Sequence, residues 1–115
     1  MFSEDKLLEF LSRFDPAKGD KMTAAYIQSF ETYEDQCREA LKTENTDQLK
    51  AAIHDIKALA LTIGAEELGA LSRNIEQTIE QRKGSEALAL TAQIFPLIRQ
   101  MTEIIEEYRS REFKA

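Results

Sequence analysis

The sequence has few of the residues from which disulfides and metal sites are built. Among its 115 residues there is one cysteine, Cys37, one histidine, His54, and no tryptophan. A lone cysteine cannot form a disulfide within the chain, which indicates a reducing compartment. A lone histidine excludes zinc sites that are built from several histidines. We therefore expect no disulfide and no resident metal ion.

Glycine, proline and long apolar runs are scarce as well. There are four glycines and two prolines, and no apolar run approaches the roughly 20 residues that span a bilayer. The start of the chain, MFSEDKLLEFL, lacks the basic and apolar segments of a signal peptide. The formal net charge of −6 argues against binding to nucleic-acid phosphates. We expect a cytoplasmic protein with no membrane insertion and no nucleic-acid partner.

The abundant residues are helix formers, and their apolar members recur at helical spacing. Ala, Leu, Glu, Gln and Lys favour helices, and no alternating strand pattern is present. The spacing predicts five helices in a single domain that spans 1–115. Their predicted ranges are about 4–14, 21–43, 47–63, 65–83 and 85–111. Short connections between four long amphipathic helices predict an all-α fold: an antiparallel up-down four-helix bundle with a short additional N-terminal helix.

Caps and apolar stripes predict the ends and buried faces of these helices. N-caps are expected at Ser3, at Asp20 and at Asn45 or Thr46, and Pro96 is expected to kink the fifth helix. The stripe of the third helix is Leu49, Ile53, Ile56, Ala60 and Ile63. The stripe of the second helix is Met22, Tyr26, Ser29 or Phe30, Tyr33, Cys37 and Leu41. Because Cys37 lies on that stripe, we interpret it as a buried structural thiol.

His54 lies just off the apolar stripe of the third helix. It follows Ile53, a rotation of about 100° on a helix, so it faces outward or lies at the boundary. Lys50 and Lys57 share its face at −4 and +3, and Ala58 adds little bulk beside it. A neutral imidazole is a competent nucleophile, and the lysines suit an anionic group placed on it. The alternative is an ordinary solvent-exposed histidine on a charged helix face.

The segment HDIKALALTIGAEEL, which begins at His54, resembles the histidine-phosphotransfer (HPt) domain family. The family pattern has His, two residues, Lys, Gly, a residue and Ser or Ala. An apolar residue and Gly come next, then Ala or Leu and a Leu three further on. The positions that match are His54, Lys57, Ala60, Ile63, Gly64, Ala65 and Leu68. The likeness covers roughly 20–110. The clear departure is Ala58, where the family usually has Gly.

The resemblance implies a phosphorelay carrier rather than an enzyme. HPt domains lack kinase and ATP-binding activity, and they move a phosphoryl group from the aspartate of one receiver domain to that of another. By this resemblance His54 is the phosphoacceptor, Lys57 is the charge partner of the phosphate, and Glu76 orients the imidazole. Glu76 could instead be a plain surface glutamate. No cofactor is expected on this chain, because Mg²⁺ belongs to the receiver.

The resemblance also implies a docking face around His54. That face would include Lys50, Ala58 and Leu61, although Leu61 could equally pack under the first helix, and Gly64 would be a structural residue of the motif. The expected partners are response-regulator receiver domains and a hybrid histidine kinase. The chain is expected to be a separate protein, with a fragment of a hybrid kinase as the alternative. A second hypothesis is a module that docks receivers or a kinase without transferring phosphate. A third is an unrelated helical scaffold.

Overall fold

Helices make up most of residues 4–113, the range that the computed structural model describes. Their bounds are α1 Asp5–Leu11, α2 Pro16–Thr43, α3 Thr46–Ile63, α4 Glu66–Glu80, α5 Gly84–Thr91 and α6 Ile94–Tyr108. A π-helical turn, Arg109–Phe113, follows α6, and we call it the C-terminal turn. Within the described range no residue belongs to a β-strand, and no helix is long and apolar enough to cross a membrane.

The bundle closes through contacts between neighbouring helices. α2 packs on α3, α3 packs on α4, and α4 packs on both α5 and α6, while α6 returns to α2. The connections at 44–45 and 64–65 are too short for a crossover, so the helices that they join run antiparallel. α1 lies outside this ring and packs on α3. The predicted all-α bundle with an additional N-terminal helix is therefore confirmed.

Apolar stripes from the bundle helices meet in one core. The predicted stripe of α3 is confirmed, since all five of its members are buried. Large side chains from the other helices join it: Phe30, Leu68, Ile75, Ile94, Met101 and Ile105. Burial of each such side chain contributes about 1.5–3 kcal/mol. Cys37 is also buried, as predicted, and burial raises the pKa of its thiol to about 12, so it stays protonated.

The ends of α3 follow ordinary capping rules. The side chain of Asn45 accepts a hydrogen bond from the backbone N–H of Gln48 at 3.0 Å, which decides between the two predicted caps. Gly64 ends the helix with φ 87°, a left-handed conformation that favours glycine. A Cβ at Gly64 would lie 2.8 Å from the backbone of Lys6, because α1 crosses directly over this turn. Gly64 therefore brings α3, α4 and α1 together.

α1 is shorter than predicted and is anchored by its apolar side. It covers Asp5–Leu11 rather than 4–14, and Leu7 and Leu11 are fully buried. The ammonium of Lys6 forms an ion pair with Glu66 at the start of α4. The cap predicted at Ser3 lies outside the described residues. This helix therefore rests on the end of the bundle at which α3 turns into α4.

α2 begins earlier than predicted, and the N-cap expected at Asp20 is wrong. The cap is Asp15, whose side chain accepts a hydrogen bond from the backbone N–H of Lys18 at 3.0 Å. Pro16 occupies the first helical position, where a missing N–H costs nothing. Asp20 instead lies inside α2 and bonds to Arg109. A capping residue followed by proline therefore starts this helix.

Gly19 lies inside α2 because the C-terminal turn covers it. A Cβ at Gly19 would overlap the ring of Phe113, so a glycine lets this aromatic side chain rest on the helix. The buried face of α2 consequently begins with Gly19 and continues through Thr23, Phe30 and Cys37. The predicted stripe is wrong at its first member, since Met22 is 41% exposed.

The predicted single helix over 85–111 is also wrong, since the structure divides it at Ala92 and Gln93. The backbone N–H groups there bond three residues back, to Ala89 at 3.4 Å and Leu90 at 3.0 Å. Pro96 has no N–H to offer the carbonyl of Ala92, and its ring crowds that carbonyl. The chain breaks the helix ahead of the proline, which leaves Pro96 in the first turn of α6, where it is tolerated.

Candidate functional site

His54 lies on the outer edge of α3, beside the seam with α4. Its side chain is 64% exposed, whereas Ile53 and Ile56 on the same helix are fully buried. The helix therefore holds the imidazole rigidly by its buried side and presents it to solvent. A packed core histidine, which would exclude surface chemistry, is ruled out.

Glu76 reaches His54 from α4. It follows the buried Ile75 by one residue, as His54 follows Ile53, so both side chains lie at the edge of the core. One carboxylate oxygen, Oε2, is 3.3 Å from Nδ1 of His54. The side chain of Glu76 is 10% exposed, so the alternative of a plain surface glutamate is wrong.

Lys57 meets the same carboxylate. Its Nζ contacts Oε1 of Glu76, and its side chain is 24% exposed. A nearly buried carboxylate without a cation would be costly to desolvate, so this ion pair accounts for the place of Glu76 in the seam. The structure thus brings together the three residues that the sequence assigned to the site, with the carboxylate in the middle.

The ionisation of Glu76 determines the tautomer of His54. Burial acts to raise the pKa of Glu76, but hydrogen bonds from Lys57 and from His54 outweigh it and hold that pKa below its ordinary value. The carboxylate is therefore ionised at neutral pH and can only accept hydrogen bonds. A neutral imidazole must then carry its proton on Nδ1, which leaves the lone pair on Nε2 free.

A model of the Hpt domain family matches residues 21–110, well over half of the chain. The chain belongs to the Hpt domain family. Searches of curated proteins and of solved structures find no match. Hpt domains are helical bundles that act in histidine phosphotransfer within two-component phosphorelays, where they interact with receiver domains. Such domains serve as phosphotransfer intermediates.

Of the residues predicted to form a docking face on this Hpt domain, Lys50, Ala58 and Leu61 are all exposed. Leu61 is 45% exposed and leans on α4, where a Cβ at Gly69 would lie 2.5 Å from it. It also lines a groove with Phe10 of α1. Leu61 therefore borders α1 without being covered by it.

Lys50 lies one helical turn before His54, on the side away from Ala58 and Leu61. It lines a separate pocket with Glu80 and Arg82, at the opposite end of the seam from Leu61. The sequence predicted two lysines beside His54 that are available to an anionic group. In the structure one of them, Lys57, forms an ion pair with Glu76. Within residues 4–113, no group of three His, Cys, Asp or Glu side chains is arranged to hold a metal ion.

Phe10 and Gly69 take part in this face, and sequence reasoning did not single them out. Phe10 packs on Phe14 and Tyr26, with ring centroids 5.3 Å and 6.1 Å away, and it forms one wall of the groove beside Leu61. Gly69 leaves room for Leu61 on α4. A glycine in the middle of a predicted helix is the signal that could have pointed to such a close approach.

Proposed function

We propose that this Hpt domain accepts a phosphoryl group on Nε2 of His54 from a receiver-domain aspartate and passes it to a second receiver. One observation carries the proposal: Glu76 binds Nδ1 of an exposed imidazole, which leaves Nε2 as a solvent-facing lone pair. A histidine that was merely part of a charged surface would need no such buried carboxylate behind it.

The transfer needs no proton movement at the histidine. The Nε2 lone pair attacks the phosphorus of the aspartyl phosphate, the P–O bond to the aspartate breaks, and the aspartate leaves as a carboxylate. The product is a phosphorylated imidazolium whose Nδ1 proton still bonds to Glu76. The reverse attack by another aspartate releases neutral imidazole with the same proton in place. Glu76 is a positioning residue that keeps both directions open.

Lys57 supports this step through the carboxylate. In the free protein its ammonium neutralises Glu76, so that the developing phosphoryl dianion does not face an uncompensated negative charge. The sequence assigned Lys57 to the phosphate itself. Its side chain retains partial exposure, and a bound phosphoryl group would draw the ammonium between the two anions.

The remaining chemistry belongs to the partner. We propose that the chain carries no cofactor, that Mg²⁺ is supplied by the receiver, and that the chain has no kinase or ATPase activity of its own. The receiver would dock on the face formed by Lys50, Ala58, Leu61 and His54. The methyl group of Ala58, where the family usually has Gly, lies on that exposed face and would tune how closely a receiver approaches.

The test mixes the full chain with a receiver domain carrying ³²P on its aspartate. The expected result is label on the chain that is acid-labile and base-stable, and that is absent from His54→Gln. Lys18→Gln, an exposed substitution on α2, serves as the matched control and should transfer normally. If receivers bind the chain but none transfers label, the protein is a docking module instead. Label retained by His54→Gln would place the phosphoacceptor elsewhere.

A further inference from the structure

A phosphoryl group on His54 would bring more negative charge than His54, Lys57 and Glu76 together neutralise. The charges of Lys57 and Glu76 cancel each other. A phosphoryl group carries roughly −1.5 to −2 at pH 7, and the imidazolium offsets one of these charges. About one negative charge therefore remains without a partner on this face, and a further cation would stabilise the phosphorylated state.

Arg73 is an exposed cation of α4 with no partner of its own. Its side chain forms no hydrogen bond or ion pair with any residue in the range 4–113. Lys50, the other exposed cation near the seam, shares its pocket with the carboxylates of Asp47 and Glu80. Lys50 likewise forms no ion pair among the described residues, but these neighbouring carboxylates partly offset its charge, so Arg73 is the stronger candidate.

The position of Arg73 follows from two contacts between α3 and α4. Gly69, four residues earlier, abuts Leu61, and Glu76, three residues later, bonds to His54. Residues three and four apart lie next to one another on a helix surface, with Cβ atoms about 5–6 Å apart. Arg73 therefore lies on the edge of α4 that borders α3, between these two contacts.

The turn of α3 that lies opposite Arg73 has a small side chain on its exposed face. Because α3 and α4 run antiparallel, the turn of α3 between His54 and Leu61 is the one opposite Arg73. The exposed residues between these two are Asp55 and Ala58. Asp55 is rotated about 100° from His54 around the helix, whereas Ala58 lies one turn beyond His54 on the same face and carries only a methyl group. A long guanidinium side chain can therefore cross over this methyl group towards the imidazole, beside Lys57, whose ammonium is turned to Glu76.

We propose that Arg73 binds the phosphoryl group on His54 and is the second cation of the transfer site, beside Lys57. This inference rests on the proposed function and adds a residue to it. A guanidinium suits the task because its planar fork can donate two hydrogen bonds to phosphate oxygens. Arg73 thus stabilises the phosphorylated state, while Glu76 holds the imidazole and Lys57 neutralises Glu76.

The test uses potassium phosphoramidate as donor, so that no receiver is required. Nε2 of His54 attacks phosphorus, the P–N bond of the donor breaks, and ammonia leaves with the electron pair. The full chain is compared with Arg73→Gln, with Lys50→Gln, and with Arg99→Gln as the matched control, an exposed arginine of α6. Phosphorus NMR follows the amount of phosphohistidine and the pH at which the phosphoryl group loses its last proton.

Loss of a cation beside the phosphoryl group disfavours its dianion. In Arg73→Gln we expect the midpoint of the phosphorus titration to rise by about half a pH unit or more, and phosphohistidine at steady state to fall about threefold to tenfold. Arg99→Gln should match the wild type in both measurements. An unchanged titration in Arg73→Gln, or a shift found in Lys50→Gln instead, overturns the inference alone. Failure of the wild type to become phosphorylated on His54 overturns the proposed function and this inference with it.

Discussion

Two clusters in this bundle each hold a nearly buried charge between two side chains that bond to it. In the seam of α3 and α4 the charge is Glu76, and at the C-terminal turn it is Arg109, and each side chain is 10% exposed. Each cluster joins residues from different helices. A buried charge bonded on two sides therefore occurs twice, once at the site and once at the C-terminal turn.

The cluster at the C-terminal turn joins this turn to α2 and α6. Arg109 contacts Oδ1 of Asp20 at 2.8 Å and Oε1 of Glu106 at 3.1 Å. Next to it, Phe113 rests on Gly19 and packs edge-on against Tyr108. The guanidinium of Arg109 and the ring of Phe113 together hold the C-terminal turn against the start of α2.

The difference between the clusters lies in the partners. Both partners of Arg109 are carboxylates, so the interaction contributes only stability. One partner of Glu76 is an exposed imidazole with a second nitrogen facing solvent. A buried ion pair becomes a reactive site only when one of its members has a nucleophilic atom left over. Substitutions in the seam should accordingly change phosphotransfer, and those at the C-terminal turn should change stability.

The largest effect is expected from Glu76→Gln. The amide oxygen can still accept from Nδ1, but without the charge this hydrogen bond is weaker by about 1 kcal/mol, so phosphotransfer should slow by about fivefold to tenfold. Rates of label transfer from a phosphorylated receiver measure this. Asp20→Asn removes a carboxylate from the other cluster and should leave the rate unchanged. Equal slowing in both variants would erase the distinction between the clusters.

A stability effect without a loss of transfer is expected from Gly19→Ala. The added methyl group overlaps the ring of Phe113, so the ring must leave its place on α2, at a cost of about 1–3 kcal/mol in the free energy of unfolding. Denaturant unfolding measures this cost, and Ala17→Ser, an exposed change in the same helix, is the control. Unchanged stability would show that the ring does not depend on this contact.

A smaller loss of stability is expected from Arg109→Met. Removing one member of a fully buried ion pair costs about 3–5 kcal/mol, but Asp20 is 42% exposed and stays hydrated when its partner is gone. We expect about 1–2 kcal/mol from denaturant unfolding. Arg111→Met, which alters an exposed arginine of the same turn, should cost less. A larger loss of stability in Arg111→Met than in Arg109→Met would show that Arg111, and not Arg109, holds the C-terminal turn in place.

The smallest effect concerns the acid dependence of stability. The pKa of Glu76 is lower in the folded protein than its ordinary value, because hydrogen bonds from Lys57 and His54 outweigh the opposing effect of burial. The stabilisation that this gives is complete above the unfolded pKa, about 4.3, and is lost as pH falls through the folded value. Between neutral pH and about pH 3, the advantage of the wild type over Glu76→Gln should therefore stay constant down to about pH 4.3 and shrink below it.

Unfolding midpoints of the wild type and Glu76→Gln, measured across that pH range, test the expected convergence. Glu103→Gln, which alters an exposed carboxylate of α6, provides the control and should run parallel to the wild type. A gap between wild type and Glu76→Gln that stays constant with pH would contradict the role of the buried carboxylate.

Several features followed directly from local patterns in the sequence. The stripe of α3 repeats regularly and has no glycine or proline within it, so both its burial and the outward position of His54 could be derived from helical periodicity alone. The Asn45 cap and the turn at Gly64 follow from residues that each favour one backbone conformation. Where such local preferences agree, prediction is reliable.

Other features did not follow from those patterns. The N-cap expected at Asp20 placed Gly19 outside the helix, but Gly19 lies within α2 and Phe113 fills the space beside it. Pro96 was expected to kink a helix, and the chain instead broke it at 92–93. At Gly19, packing of the C-terminal turn overrides the local preference of the residue. At Pro96 the break follows from the proline itself, and the pattern of apolar residues did not distinguish a break from a kink.

The sequence by itself determined the helical class, the exposed place of His54 and, through the resemblance of the segment that begins there, the family. Only the tertiary structure decided the partners of that histidine. Whether Glu76 is a surface residue or a buried acceptor depends on the register of α4 against α3, and that register arises from side-chain packing across the seam, such as Leu61 against Gly69. Periodicity specifies which face of a helix is buried. It does not specify how far one helix slides along its neighbour, and at this site that register pairs the carboxylate with the imidazole.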